Sequence, residues 1–349
     1  MIADDVLSKL LTPLRLRGVF QSRWTAGAPW AVQGSEEHCA VMHYVISGQC
    51  LLTLDSRPGP IQLHSGDLVL FPHGTEHTLS DAPDRTTLPL HLALPERPPG
   101  ATGVIRIGGS GDEVQLICAG LHYAPLGESP LYRSLPPLIL ITRQVLDKNP
   151  LLLHTLDSLV AQCLQTDPGN TVITLRAFEM VLLLALQLSL GEGLQPSPAL
   201  EAVQHPGISK ALSAMHSDFG KPWSLPELAR EAGMSRSSFS SAFRELLGES
   251  PARHLTRRRM QEAARLLTET ADSQHSIAAQ VGYQSTVGLH LAFRKWFQMP
   301  PGEYRTTYGS ISVSADRPPT PDEIEIDLTA CPTMLSYARS RAAGHPGDG

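Results

Sequence analysis

The sequence predicts a multidomain α+β protein: an antiparallel β-barrel first, apolar helices after it, and an all-α module towards the C-terminus. Three observations predict this. Between about Arg17 and Leu126, short apolar alternations are punctuated by Gly, Pro and Asp, the pattern of a sandwich or barrel with turns every 8–12 residues or so. From Ser134 the apolar spacing becomes helical. In the last third, one segment of helix, turn and helix occurs twice. A chain of 349 residues accommodates two domains at roughly 100–200 residues each.

Taken in order, the N-terminus MIADDVLSKLLTPLRL has Asp4 and Asp5 where an export signal needs positive charge, and its apolar spacing fits a short amphipathic helix. The strands are read from VMHYVISG, CLLTLDSRPG, IQLHSGDLVLFPHG and VQLICAGLHY. Two long helices follow, Asn149–Leu164 and Val172–Leu190, the second apolar nearly all round. That helix also contains Arg176, Glu179 and Gln187, which are costly in a bilayer and ordinary in a packed helix, so no membrane span is expected. Such a helix must be covered, either by the chain's own β-domain or by a second copy. The expected boundaries are 1–133 for the β-domain, 134–192 for a dimerising and connecting helical segment, 193–206 for a linker, 207–308 for the helical module and 309–349 for a disordered tail rich in Ser, Pro and small residues.

Composition narrows the function classes. Five scattered cysteines, Cys39, Cys50, Cys118, Cys163 and Cys331, contain no CxxC pair and predict reduced thiols in a cytoplasm. The chain carries 28 Lys+Arg against 34 Asp+Glu, net -6, which taken whole argues against a nucleic-acid partner. Distribution reverses this: His205–Tyr308 holds 13 basic and 9 acidic residues, net +4, and the remainder holds 15 and 25, net -10.

Within the basic module, LAREAGMSRSSFSSAFRELLGESP returns as IAAQVGYQSTVGLHLAFRKWFQMPP at an offset of 49 before the turn and 50 after it. Ser224 and Glu227 form a capping box, Gly233 sits where the chain must leave the helix at positive φ, and Ser235 is an N-cap for Arg236–Leu247. Leu228, Ala229, Ala232, Phe239, Phe243 and Leu246 supply the core of this copy. The exposed face of its second helix is then Arg236, Ser237, Ser240, Ser241 and Arg244, small polar residues flanked by arginines, which suit base-edge and phosphate contacts. An amphipathic helix, Ala252–Leu267 with Arg257, Arg258, Arg259 and Arg265, joins the copies. At ~1.5 Å per residue it is a strut of about 24 Å, which with the bodies it joins spans about one duplex turn.

On these residues, with the RRRMQEAARLL helix and VGYQS…AFRKWFQMPPGEYR, Trp223–Tyr308 resembles the DNA-binding domain of the AraC/XylS family of bacterial transcription regulators. The second copy departs from the family pattern: Val287, Gly288 and Leu291 replace polar or basic side chains. This unit is therefore expected to act as a phosphate clamp through Ser285, Thr286, His290, Arg294 and Lys295.

In the N-terminal part, GDLVLFPHGTEHTLSD fits G-x5-P-x-G-x2-H with Gly66, Pro72, Gly74 and His77, and resembles the second motif of the cupin superfamily. The first cupin motif is largely missing, with Val41 in the glutamate position. His43, two residues further along the strand, shares the inward face. His43 and His77 are the candidate pair for a metal or effector, and His38, Cys39 and His73 are candidate third ligands. A divalent metal in the barrel and a metal-free pocket both remain open. Cys118, in Cys118-Ala119-Gly120, is a candidate redox thiol or a buried inert one. The combined resemblance implies a cytoplasmic, dimeric, non-enzymatic regulator that binds promoter DNA, meets RNA polymerase if it activates, and responds to a small molecule, metal or oxidant. The alternatives are a metal-dependent cupin enzyme fused to a DNA-binding domain, and a constitutive DNA binder whose barrel only dimerises.

Overall fold

The apolar alternations fold into two sheets whose inner faces share one core. In the computed structural model, which describes residues 6–11, 14–37, 39–94, 102–123, 135–162, 165, 167–191, 201–202, 204–309 and 322–326, the chain divides into two units. The β unit contains β1 (Leu16–Gly27), β2 (Ala31–Gly34), β3 (Ala40–Ser47), β4 (Gln49–Thr53), β5 (Ile61–His64), β6 (Leu68–Phe71), β7 (His77–Ser80), β8 (Leu88–Pro89), β9 (Thr102–Gly108), β10 (Glu113–Tyr123), β11 (Ile139–Ile141) and β12 (Asp322–Ile326). One sheet runs β11-β6-β3-β10-β1-β9-β12 and the other β5-β4-β7-β2-β8. Phe20, Trp24, Val45, Phe71 and Leu116 from the first sheet meet Val32, Leu52 and Leu79 from the second, with Trp30 just before β2, in one buried cluster, because side chains two apart along a strand point to the same face.

The Pro72–Gly74 turn is where the sequence motif matters to the backbone. Gly74 has φ +65, and a Cβ there would collide with the carbonyl oxygens of Glu37 and Cys39. Only glycine closes this turn without strain, and the return strand then starts at His77.

Two expectations are corrected here. The ladders are not antiparallel throughout, since β1–β9, β2–β8 and β9–β12 pair in parallel. The C-terminal segment expected as a disordered tail also supplies β12, whose Asp322–Ile326 register against Gly103–Ile107. The sequence DEIEI alternates charge with β-branched residues, as strands do, and β9 offers it a sheet edge to complete. The other residues of that segment after Gly309 lie outside the described residues.

Between the strands lies a short helix α2 (Leu90–Ala93), and α3 (Arg143–Leu146), α4 (Pro150–Gln162) and α5 (Asn170–Gly191) follow β11. Helix α5 is long and apolar enough to cross a membrane by length and composition, yet Phe178, Val181, Leu182 and Ala185 are buried in the fold. Val172, Ile173 and Met180 on α5 and Leu151 on α4 are exposed.

The helical unit comprises the N-terminal α1 (Val6–Leu11) with α6 (Pro206–Ser217), α7 (Leu225–Glu231), α8 (Arg236–Leu247), α9 (Pro251–Glu269), α10 (Gln274–Gln280), α11 (Thr286–Phe297) and α12 (Pro301–Gly309). The Ser224/Glu227 capping box forms, Ser235 caps α8 and Ser285 caps α11. Gly233 and Gly282 both take positive φ at the turns of the two copies. The two helix-turn-helix copies have separate cores, one around Phe239 and Phe243 and one around Leu289 and Phe293, and Phe219 packs against both.

The joining helix α9 is longer than the sequence reading, and its arginines find partners within the fold. Arg257 and Arg258 are buried, Arg257 being paired with Glu249 and Arg258 with Glu262. Arg259 donates to the carbonyls of Phe219 and Lys221 at 2.7 and 2.8 Å, and Arg265 bonds Glu262 and Glu269. Arg257 and Arg259 thus tie α9 to the segments before it, while Arg258 and Arg265 pair along α9 itself.

Candidate functional site

In the β unit the strand register brings His43, His77 and Cys118 together. Cys118 on β10 is the direct cross-strand partner of His43 on β3, and His77 approaches from the opposite sheet, where its strand partner is Gly34. A Cβ on Gly34 would already meet the His77 ring at 3.4 Å, so a larger residue there would press on the imidazole. Phe71 stacks on His77 with ring centroids 4.0 Å apart.

The hydrogen bonds form one chain. His77 Nδ1 lies 2.7 Å from the Thr75 carbonyl, which only accepts, so Nδ1 carries the proton and donates. His77 Nε2 then accepts from His43 Nε2–H at 2.7 Å. His43 Nδ1 in turn accepts from the Cys118 thiol at 3.0 Å. Every link closes with both rings neutral. Burial, reinforced by His77, holds the His43 pKa well below the usual histidine range. Burial also lowers His77, partly offset by the Thr75 carbonyl and by Glu37 and Glu76. Burial pushes the Cys118 thiol up, so the reactive thiolate form is suppressed.

These groups border a cavity of about 90 Å3, well above the ~10–15 Å3 that one water requires. Its walls are mainly apolar, including Phe20, Trp24, Trp30, Leu90 and Leu94, with Glu37 and Cys39 also at the lining. Cys39 is thus at the cavity, whereas His73 is half-buried in the turn after β6 and does not line it. His38 lies outside the described residues, as do Cys163 and Cys331. The donor set does not fit a divalent ion: His43 and His77 bond each other directly, and Cys118 lies on the opposite nitrogen of His43, so the three cannot converge on one point. Among the described residues, no group of three His, Cys, Asp or Glu side chains is placed to hold a metal.

The helical unit carries the second candidate surface. On α8, Arg236, Ser237, Ser241 and Arg244 are exposed and Ser240 is half-buried. Ser237, Ser240, Ser241 and Arg244 border a shallow concavity with Glu245. On α11, Arg294 and Lys295 are exposed and Thr286 and His290 half-buried. The Ser285 hydroxyl accepts from the Gly288 N–H as the cap.

Sequence reasoning passed over a second buried histidine pair, in the core of this unit. His216 and His254 face each other through Nε2 atoms 3.0 Å apart, with His216 Nδ1 at the Lys9 carbonyl of α1 and His254 Nδ1 at Glu249. Both Nδ1 atoms meet acceptors and must donate. With neutral rings, two bare Nε2 lone pairs then oppose each other. Burial first, and then Arg258, lowers the His254 pKa to about 4, and burial with His254 and Arg258 lowers His216 well below the usual range.

Comparison with known proteins agrees with this architecture. A cupin family model matches residues 5–190, and a helix-turn-helix domain model matches residues 228–307. The chain belongs to the cupin family, and with its helix-turn-helix domain it is a DNA-binding transcription regulator of the AraC type with an N-terminal cupin domain. It is 29% identical, over 86% of its length and 98% of the other, to a Streptomyces lividans protein described as an AraC-like transcription regulator. It is 27% identical to the HTH-type transcriptional regulator AlkR of Acinetobacter baylyi, over 86% of this chain and 99% of AlkR. Among solved structures, the DNA-binding domain of AdpA in complex with a target DNA is 29% identical, with TM-score 0.29, covering 31% of this chain and 97% of that one.

Proposed function

We propose that the cupin domain senses a small apolar molecule and that its occupancy changes how a homodimer of this cytoplasmic protein binds promoter DNA. The supporting observation is the cavity, with apolar walls and a polar edge at His43, His77 and Cys118, the composition of a small-molecule site. Recognition falls to α8, where Ser237, Ser240 and Ser241 read base edges between Arg236 and Arg244. Ser285, Thr286, His290, Arg294 and Lys295 hold phosphates, which position without specifying. The exposed Val172, Ile173 and Met180 on α5, with Leu151, support dimerisation through these helices.

The test uses a duplex selected by the full-length protein from random sequence, with toluene and cyclohexane as probes. Trp24 and Trp30 line the cavity, so their fluorescence reports occupancy. Sensing requires the two states to bind the probe unequally, and a coupling of about fivefold or more in duplex affinity is expected. A Val41→Phe variant, which projects a ring into the cavity from the strand face it shares with His43, should lose both signals. Duplex affinity that ignores every probe while the tryptophans report binding would overturn the sensing role.

A further inference from the structure

The two recognition helices are built on one template. Phe239 and Phe243 of α8, and Leu289 and Phe293 of α11, are each fully buried at the same repeat positions. Positions 237, 241 and 244 are exposed on α8, and their counterparts 287, 291 and 294 are exposed on α11. Even the helix ends agree: Gly248 and Gln298 occupy equivalent sites and both are left-handed, at φ 67 and 55. The face that α8 turns outward is therefore the face that α11 turns outward.

What differs is the chemistry on that face. Where α8 has Ser237 and Ser241, α11 has Val287 and Leu291, which are 68% and 65% exposed and more exposed than the other large apolar side chains noted for the described residues. They are four apart and adjacent on the helix surface. Gly288 beside them is not demanded by the fold: its φ is not positive, and a Cβ there would meet the Ser285 hydroxyl at 3.4 Å and the Tyr283 ring at 3.5 Å. A glycine inside a helix costs about 0.5–1 kcal/mol relative to alanine, and a helix surface without that side chain lets a neighbouring molecule approach closely. Arg294 and Lys295 flank the patch with positive charge, which fits a polyanion.

We propose that α11 reads thymine in the major groove through its 5-methyl group, with Val287 and Leu291 as the specificity-determining residues. Thymine presents a methyl there, which no other base of DNA carries at its major-groove edge. Branched aliphatic side chains that cannot hydrogen-bond a base edge can still bury that methyl. The second unit is then a reader as well as a clamp: α8 selects by hydrogen bonds, α11 by apolar contact. This rests on both units engaging the duplex.

The test is a scan in which each thymine of a duplex selected by the full-length protein is replaced in turn by deoxyuridine, removing only the methyl. One or two positions, confined to one side of the site, should weaken binding by about 3- to 5-fold, the value of one buried methyl-sized group. In a Val287→Ser/Leu291→Ser variant those positions should become indifferent to the methyl, while base substitutions on the other side keep their effect. Deoxyuridine without effect at every position in the unmodified protein would overturn the proposal, and that arm depends on no variant. A penalty that persists in the double variant would overturn it too, as would a double variant that binds all duplexes unchanged but loses self-association, which would assign the patch to a protein partner. Failure of the unmodified protein to select any duplex would instead remove the two-unit DNA contact on which the proposal rests.

Discussion

The molecule buries two histidine pairs, and they solve the same problem differently. In the β unit, His43 and His77 stand in a chain running from the Cys118 thiol to the Thr75 carbonyl, and every donor finds an acceptor with both rings neutral. In the helical unit, the Lys9 carbonyl and Glu249 claim both Nδ1 protons of His216 and His254, and the neutral pair is one proton short of a complete set. The first arrangement needs no charge. The second sits beside a buried ionic group, Glu249 with Arg257, and the arginines oppose the proton that would complete it. A neutral network is content in an apolar wall, whereas a charged one ties its stability to pH and to each partner.

Removing the charge from the helical network should have the largest effect. Glu249→Gln leaves the buried Arg257 without its carboxylate and is expected to cost about 3–5 kcal/mol, measured by urea unfolding with Trp223 and Trp296 as reporters in a Trp24→Phe/Trp30→Phe background. Next comes acid. His254 titrates near 4 in the fold against about 6.5 when unfolded, so the unfolded chain binds more protons between those values. Stability of the helical unit is complete above about pH 6.5 and falls as pH drops towards 4, by about 3 kcal/mol from this group, readable from unfolding midpoints at a series of pH values. In the β unit, His77→Phe should cost about 1–3 kcal/mol by stranding the His43 donor, and a loss equal to that of Glu249→Gln would erase the contrast. Smallest is Cys118→Ala, expected at about 1 kcal/mol. Nitrogen NMR shifts of His43 should still report a neutral ring protonated at Nε2.

Sequence could reach what local rules control. The capping box at Ser224 and Glu227 and the positive-φ glycines at 233 and 282 are set by residues a few positions apart, and they lie where the spacing puts them. The pairing of His43 with His77 was legible because one lies on an inward strand face and the other follows a diagnostic turn. The link from His43 to Cys118 was not, since it depends on the register of β3 against β10, 75 residues apart. The partners of the α9 arginines were not legible for a related reason: a helical period shows which residues share a face, but not that Glu249 and the carbonyls of 219–221 lie opposite Arg257 and Arg259. The pair His216–His254 joins helices that no local signal relates.

The brace formed by Arg259 has a consequence for the DNA. It ties α9 to the carbonyls of the segment after α6, and the Gly220 carbonyl of that segment lies so close to Gly282, in the turn of the second copy, that a Cβ on Gly282 would collide with it. The two helix-turn-helix units thus meet at one packed junction, and on the proposed contact of both with the duplex that junction makes the module a ruler. Inserting a single base pair between the two proposed contact segments, which moves one of them by about 3.4 Å along the axis and by roughly a tenth of a turn around it, is then expected to put the second segment out of register with the helix that meets it.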